Sequence, residues 1–345
     1  MQKNDKIYVA GHLGLVGRAL VASLLDQGYT NLVLKTHAEL DLTKQSAVEA
    51  FFKQERPDVV ILAAAKVGGI LANNTYKADF IYQNLAIQTN TIHCAYQYGV
   101  KKLLFLGSTC IYPKESPQPI KEEYLLSSAL ESTNEPYAIA KIAGLKMCEA
   151  YNAQYKTNFI SAMPTNLYGP FDNFDLQNAH VLPALLRKMH LARLLEQGHM
   201  DLVLQDLQVS SSQEGLAILK KYAIGAEAVG IWGSGKPRRE FLHSSDLAHA
   251  CVFLLEHQKA TPTNNHINIG TGEDISIQDL AMIIKKIVGF KGTLVFDHTK
   301  PDGTLYKCSD VSKITHLGWT ASIGLEEGLK DLYLWYQNKD KTLKS

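Results

Sequence analysis

The sequence predicts an α/β fold built on a doubly wound parallel sheet, with a smaller C-terminal α/β substrate domain. Three observations predict it: short apolar runs alternate with helix-length amphipathic segments, a glycine-spaced turn follows the first run, and the alternation loosens only beyond about residue 170. Strands are expected at Ile7–Ala10, Leu32–Leu34, Val59–Ala65, Leu103–Leu106 and Phe159–Met163, with helices from about Val16 and over Ser46–Gln54. Past residue 170 a helix is expected at His180–Leu195, then a polar stretch containing Ser210-Ser211-Ser212, a helix at Glu214–Tyr222 and a strand at Val229–Trp232. Ser276–Val288, bounded by Gly270 and Gly272 before and Gly289 after, predicts a capped helix leading into a strand at Thr293–Phe296. This order assigns residues 1–170, with about 229–260 returning to them, to a dinucleotide-binding domain, and 171–228 with 261–345 to the substrate domain.

Composition bounds the partners. The 345 residues are 46% hydrophobic and 20% charged, an ordinary globular balance. Thirty-five basic against 34 acidic residues leave a net charge of +1, so no broad basic field exists for nucleic acid or an anionic membrane. An anionic ligand must meet a local basic pocket. The longest apolar stretch, Val59–Ala65, falls far short of the roughly 20 residues that span a bilayer, and a strand-like run already starts at Ile7, so a cytoplasmic protein is expected. Cysteines 94, 110, 148, 251 and 308 form no CxxC pair and are odd in number. They are expected as reduced thiols, with no disulfide framework and no metal.

Gly11-His-Leu-Gly14-Leu-Val-Gly17 follows the first strand and opens a helix, a Rossmann-type phosphate turn. Backbone N–H groups there can receive a pyrophosphate without side-chain interference. Dinucleotide choice is made past the second strand, where an acid would bind a ribose 2′-hydroxyl. Here Lys35-Thr36-His37 offers none, and the first carboxylates are Glu39 and Asp41. Lys35 and His37 suit a 2′-phosphate, so NADPH is favoured over NADH; the alternative is that Lys35 is a solvated strand-end charge.

The chemistry is carried by Ser108-Thr109-Cys110 and Tyr137-Ala-Ile-Ala-Lys141. Tyrosine and lysine four apart share a helix face, so the ammonium is expected to lower the phenol's pKa and make Tyr137 a proton donor or acceptor. Ser108 can hydrogen-bond the same carbonyl oxygen, which completes a hydride-transfer site. Cys110 is a thiol that a simple dehydrogenase does not need, although a cysteine near a strand end is also commonly a small buried hydrophobe.

The chain resembles the GDP-L-fucose synthases, GDP-4-keto-6-deoxy-mannose 3,5-epimerase/4-reductases of the extended short-chain dehydrogenase group. The resemblance rests on Ala63-Ala-Ala-Lys-Val-Gly-Gly-Ile70, Ala72-Asn-Asn-Thr75, Gly107-Ser-Thr-Cys-Ile-Tyr-Pro113, Thr133-Asn-Glu-Pro-Tyr-Ala-Ile-Ala-Lys-Ile-Ala-Gly144 and Met163-Pro-Thr-Asn-Leu-Tyr-Gly169. Trp232-Gly-Ser-Gly235, Arg239-Glu-Phe-Leu242 and Pro301-Asp-Gly-Thr304 extend it over nearly the whole chain. It implies that Cys110 and His180 are base and acid for epimerisation at C3 and C5, and that Ser108, Tyr137 and Lys141 serve reduction at C4. It also implies NADP contacts at Gly11, Gly14, Leu15, Val16, Gly17, Lys35, His37, Asp41, Ala63, Ala64, Leu106, Tyr137, Lys141, Pro164, Asn166, Leu167 and His180. The GDP-sugar would meet Asn166, Lys188, Trp232, Arg239, Asp302 and Lys307, with Arg238 facing solvent. A homodimer is implied on the same ground.

The chain departs from that pattern in four places. Leu13 and His37 stand where the family commonly has basic residues near the 2′-phosphate, Thr109 stands beside the catalytic serine, Leu305-Tyr306 replace Pro-Arg, and about 197–225 is an insertion. One rival reading is a 4-reductase of another GDP-4-keto sugar, such as a heptose of surface polysaccharide synthesis, with or without epimerisation. A second, from another class, is a non-catalytic NADP-binding regulator. A 4,6-dehydratase would want carboxylates after the serine, and a 4-epimerase needs neither Cys110 nor His180.

Overall fold

The computed structural model describes residues 1–261, 266–300 and 302–342; Pro301 of the matched Pro-Asp-Gly-Thr segment, and 262–265 and 343–345 of the expected second domain, lie outside them. Four fully buried residues make β1 (Ile7–Ala10), and the glycine turn after it opens α1 (Leu15–Asp26). β2 (Leu32–Val33), α2 (Gln45–Glu55), β3 (Val59–Leu62), α3 (Ile70–Thr75) and α4 (Lys77–Gln97) follow. β3 is shorter than the apolar run that predicts it, because Ala63–Ala65 pass into a loop. Buried Asn84 of α4 clamps the next residue, accepting the Lys66 N–H and donating to the Lys66 carbonyl, both at 3.0 Å. Then come β4 (Lys102–Leu106), α5 (Glu135–Tyr155), β5 (Phe159–Pro164) and β6 (Asn166–Tyr168).

The second half runs α6 (Val181–Glu196), α7 (Met200–Leu207), α8 (Ser212–Lys221), β7 (Ala228–Trp232), β8 (Arg238–His243), α9 (Ser244–His257), β9 (His266–Ile269) and β10 (Asp274–Ser276). It closes with α10 (Ile277–Val288), β11 (Thr293–Asp297), α11 (Ser312–His316) and α12 (Leu325–Thr342). Ser276 caps α10 as expected, its Oγ accepting the Asp279 N–H at 3.0 Å. The stretch expected to be polar contains a helix instead. α7 is amphipathic, and Val203 is its one wholly buried residue.

The chain forms two compact units: Met1–Phe171, Glu240–Glu273 and Cys308–Ile323 make the first, and Asp172–Arg239, Asp274–Lys307 and Gly324–Ser345 the second. Residues 229–239 therefore group with the second unit, and 266–273 and 308–323 with the first. In the first, six parallel strands lie in the order β2-β1-β3-β4-β5-β9. Successive strand residues alternate between two buried layers: Ile7, Val9, Val59 and Ile61 enter one, and Tyr8, Ala10, Val60 and Leu62 the other. A sheet covered on both faces needs apolar residues at every position, which is why its strands read as unbroken apolar runs. Strand order reverses between β1 and β3, the place where doubly wound sheets bind ligands at their carboxyl ends. In the second unit α6 packs on α7, α10 and β7, and β7 pairs in parallel with β11.

Among the described residues no helix is long and apolar enough to cross a membrane.

Candidate functional site

The glycine turn is a cradle that a single methyl group would fill. Gly11 has φ +85°, and a Cβ there would lie 2.7 Å from the Ala64 nitrogen; one on Gly17 would lie 2.1 Å from the Gly11 carbonyl oxygen. The turn after β1 and the turn after β3, with Ala63 and Ala64, are thus in backbone contact at the reversal point. α1 starts at Gly14 with no side-chain cap and no acid in its first turn. The N–H groups of Leu15, Val16 and Gly17 are left to an outside acceptor, and the chain's own residues fit a dinucleotide pyrophosphate.

Leu13 is exposed, but Arg18, a cation the sequence reading passed over, donates from Nε to the Leu13 carbonyl at 3.0 Å. Its guanidinium lies 4.3 Å from the Phe171 ring centroid. Only its position one turn into the phosphate-binding helix could have signalled it. Past β2, Lys35 is half-buried and His37 exposed. The acids there are engaged in their own turns: Glu39 accepts from Thr36 N and Oγ1, and Asp41 from Thr43 N and Oγ1.

The residues expected to serve reduction converge at the end of β4. Ser108 caps a single 3₁₀ turn, its Oγ accepting the Cys110 N–H at 3.2 Å, and Cys110 is buried on that turn. Glu131 gathers Thr133 N, Thr133 Oγ1 and Asn134 N, which fixes the chain's entry into α5. Tyr137 and Lys141 then sit one turn apart. Lys141 is 3% exposed and donates to the carbonyl of Leu106 at 2.8 Å, with Nζ 5.7 Å from the Tyr137 ring centroid. Burial lowers the Lys141 pKa to about 8, against an opposing pull from Cys110.

The expected lowering of the Tyr137 pKa is overturned. Burial raises it, and negative charge on Cys110 adds to the rise. The lysine is turned to the Leu106 carbonyl, and desolvation wins at the phenol. The phenol is kept in its protonated form, which is the form that reduction consumes.

α4 supports this cluster from beneath. Gln88 Nε2 donates to the Ala140 carbonyl at 2.5 Å, and Phe80 meets the Tyr137 ring edge-on at 6.3 Å. Asn84 and Gln88 were not singled out from sequence, though two amides four apart on one helix face were the available signal. Beyond β5, Pro164 pairs with Ile269 and Leu167 with Leu242. Asn166 donates from Nδ2 to the Glu240 carbonyl at 2.9 Å. Glu240 is another missed residue: wholly buried, its carboxylate accepts the N–H groups of Thr271, Gly272 and Ser309 at 2.7 to 2.9 Å. Backbone dipoles there take the place of a cation.

In the second unit His180 is exposed at the N-cap of α6, with no side-chain capping bond. Eight residues on, Lys188 is buried and donates to the Gly230 carbonyl at 2.8 Å; burial lowers its pKa to about 8. Trp232, at the end of β7, is 62% exposed with Lys300 Nζ 5.6 Å from its ring. Arg239 Nη1 donates to the carbonyls of Arg238 at 2.7 Å and Thr304 at 2.5 Å, while Nε and Nη2 make no hydrogen bond among the described residues. Asp302 is exposed, and its two oxygens accept from Ser234 N at 2.8 Å and Oγ at 2.6 Å. Arg238, expected to face solvent, is paired with Asp274 at 2.8 Å. Lys307 is half-buried at the end of the same segment. Arg239 and Asp302 are thus drawn together by the 302–304 loop, whereas His180 is bonded to none of them.

The family model for the NAD dependent epimerase/dehydratase family matches residues 7–270. GDP-L-fucose synthase 1 of Arabidopsis thaliana is 56% identical over 97% of this chain and 94% of its own length. GDP-L-fucose synthase of Escherichia coli strain K12 is 50% identical over 98% of both chains. The solved structure of a GDP-D-glycero-L-gluco-heptose synthase from Campylobacter jejuni, in the presence of NADPH, superposes with a TM-score of 0.93 at 48% identity, covering 98% of this chain and 99% of that one.

Proposed function

The chain belongs to the GDP-L-fucose synthases of the NAD dependent epimerase/dehydratase family, and we propose that it converts GDP-4-keto-6-deoxy-D-mannose to GDP-L-fucose by NADPH-dependent 3,5-epimerisation and 4-reduction. One observation carries this reading: a buried thiol, Cys110, shares the Ser108-capped turn and acts electrostatically on both Tyr137 and Lys141. Hydride transfer itself does not call on a thiol there.

The 4-ketone makes the hydrogens at C3 and C5 acidic, because each carbanion is delocalised into the carbonyl as an enolate. Cys110 as thiolate removes the proton, and His180 returns one to the opposite face of the ring. Once solvent has taken the proton from Cys110 and returned one to His180, repeating this at the second carbon inverts both centres. NADPH, when bound at the glycine turn, supplies the hydride for C4. Tyr137 then gives its proton to O4, and Ser108 Oγ hydrogen-bonds the same oxygen as charge develops on it. Lys141 orients the nicotinamide ribose and, once that proton has gone, stabilises the phenolate. Arg239, with two nitrogens unengaged, and Lys188 face the diphosphate, and Trp232 offers its exposed ring to the guanine. Asp302 orients the loop around Arg239.

The test is incubation with NADPH and GDP-4-keto-6-deoxy-D-mannose in deuterated water, with the sugar read by NMR. GDP-L-fucose carrying deuterium at C3 and C5 is expected. Cys110→Ser should abolish that uptake while reduction of a pre-epimerised ketone stays measurable; a wild type that reduces the sugar without deuterium entry sinks the epimerase half.

A specific observation favours a second reading. The C. jejuni heptose synthase is nearly as similar as the fucose synthases, and Leu305 and Tyr306 are both about half exposed beside the 302–304 loop. On this reading the 4-keto sugar is a heptose, and the same NMR experiment with a GDP-4-keto-heptose separates the two by relative kcat/KM.

A further inference from the structure

Residues 172–179, which lead into His180, are shaped by local turns but fastened to the second unit at Phe174. Asp172 Oδ1 accepts the Asn173 N–H at 2.7 Å, Asn173 Oδ1 the Asp175 N–H at 2.9 Å, and Asp175 Oδ1 the N–H groups of Gln177 and Asn178 at 3.2 and 2.9 Å. These bonds stay within the loop. The Phe174 ring packs at 4.6 Å from Tyr336 and 6.1 Å from Trp335, both on α12, and its carbonyl accepts Arg187 Nη1 at 3.1 Å.

Arg187 is itself aimed by α7. Its Nε donates to Asp206 Oδ1 at 2.8 Å and its Nη2 to the Asp206 carbonyl at 2.7 Å, so three nitrogens of one planar fork serve three acceptors. The pair is inside the protein, with side-chain exposures of 15% and 7%. Asp206 Oδ2 also accepts the Tyr336 hydroxyl at 2.7 Å and Lys339 Nζ at 3.2 Å. Burial pushes the Asp206 carboxyl up, but Arg187 and Lys339 together pull it below the usual range. The carboxylate is therefore charged and takes its bonds from α6 and α12 at once.

We infer that Asp206 is a positioning residue for His180. It orients Arg187 onto the Phe174 carbonyl and so fixes where the 172–179 loop delivers His180 and the start of α6. The inference rests on the reading of His180 as the epimerising acid, and it gives the 197–225 insertion a task. A displaced acid slows the proton transfer it serves more than it slows hydride transfer, and a misplacement near 1 Å is worth about 100-fold in rate.

Two rates are measured on the same sample, deuterium uptake at C3 and C5 and reduction of the pre-epimerised ketone, because their ratio is independent of the folded fraction. Asp206→Asn should lower that ratio ~10- to 100-fold. Arg187→Lys, which keeps the charge but not the three-way fork, should lower it similarly. Lys339→Met, which leaves Arg187 on Phe174, should keep the wild-type ratio. If Asp206→Asn and Arg187→Lys leave the ratio unchanged, Asp206 is structural only and the inference is overturned. A wild type without deuterium uptake overturns it differently, by removing the reading on which it rests.

Discussion

Lys141 in the first unit and Lys188 in the second are built alike and placed for different work. Each sits on a helix with under a tenth of its surface exposed, donates to one backbone carbonyl at 2.8 Å, and is brought by burial to a pKa of about 8. No described carboxylate forms an ion pair with either. A buried ammonium with one hydrogen-bond partner is under-satisfied, so each lysine would gain from a further acceptor. The difference lies in the neighbours. Lys141 has Tyr137 one turn away and feels Cys110, whereas Lys188 has neither, so the roles proposed for them differ: proton chemistry for the first and a hold on the diphosphate for the second.

The largest effect expected from this contrast is at Tyr137. Tyr137→Phe removes the proton for O4, so reduction should fall by ~10²- to 10⁴-fold while deuterium uptake at C3 and C5 continues. Lys141→Met should lower kcat for reduction in the same direction. If Lys141→Met changes KM alone, Lys141 behaves as a binding cation and the contrast with Lys188 collapses.

Arg239 sharpens the binding side. Its unengaged Nε and Nη2 point to a phosphate contact, so Arg239→Ala should raise KM for the GDP-sugar ~10- to 100-fold, as loss of a charge-assisted hydrogen bond does, and leave kcat within about threefold. Arg239→Lys should recover only part, because a point-charge ammonium lacks the planar fork whose Nη1 holds the Arg238 and Thr304 carbonyls while Nε and Nη2 remain for a phosphate. An equal loss in kcat would move Arg239 into the chemistry.

What could be read before any coordinates follows the same division. Through residue 171 the first unit is local in sequence: buried strands alternate with helices, the glycine turn follows β1, and Tyr137 and Lys141 are related by helix geometry alone. The direction of the Tyr137 pKa was misread there by counting a charge and not the burial around it, and 266–273 and 308–323 were misassigned because they join this unit from far along the chain. Both units are assembled from three separated segments, but in the second the ties around the candidate site residues are themselves long-range. Arg238 looked like a surface charge because Asp274, its partner, lies 36 residues away. The Ser234–Asp302 tie was not legible because its partners lie 68 residues apart. α7 was lost in a polar stretch because the carboxylate that matters there, Asp206, is given meaning by Arg187 on another helix.

The smallest effect is thermodynamic and tests whether Lys188 is held at a cost. Its folded pKa, about 8, lies below the ordinary 10.5, so between those values the unfolded chain binds more protons and stability from this group rises with pH. Below pH 8 both states carry the charge and the full cost of burying it is present. Lys188→Met fills the same space without a charge and loses only the bond to Gly230. At pH 7 the variant should be more stable by about 1–3 kcal/mol, a Tm rise of a few degrees, while KM for the GDP-sugar increases. That stability advantage should fade as the pH is raised from 8 towards 10.5. Urea melts of wild type and variant across that window decide it: a variant less stable at pH 7, or a gap that does not change with pH, means that Lys188 is an ordinary packed side chain. The resemblance to Lys141 would then be one of geometry without energy.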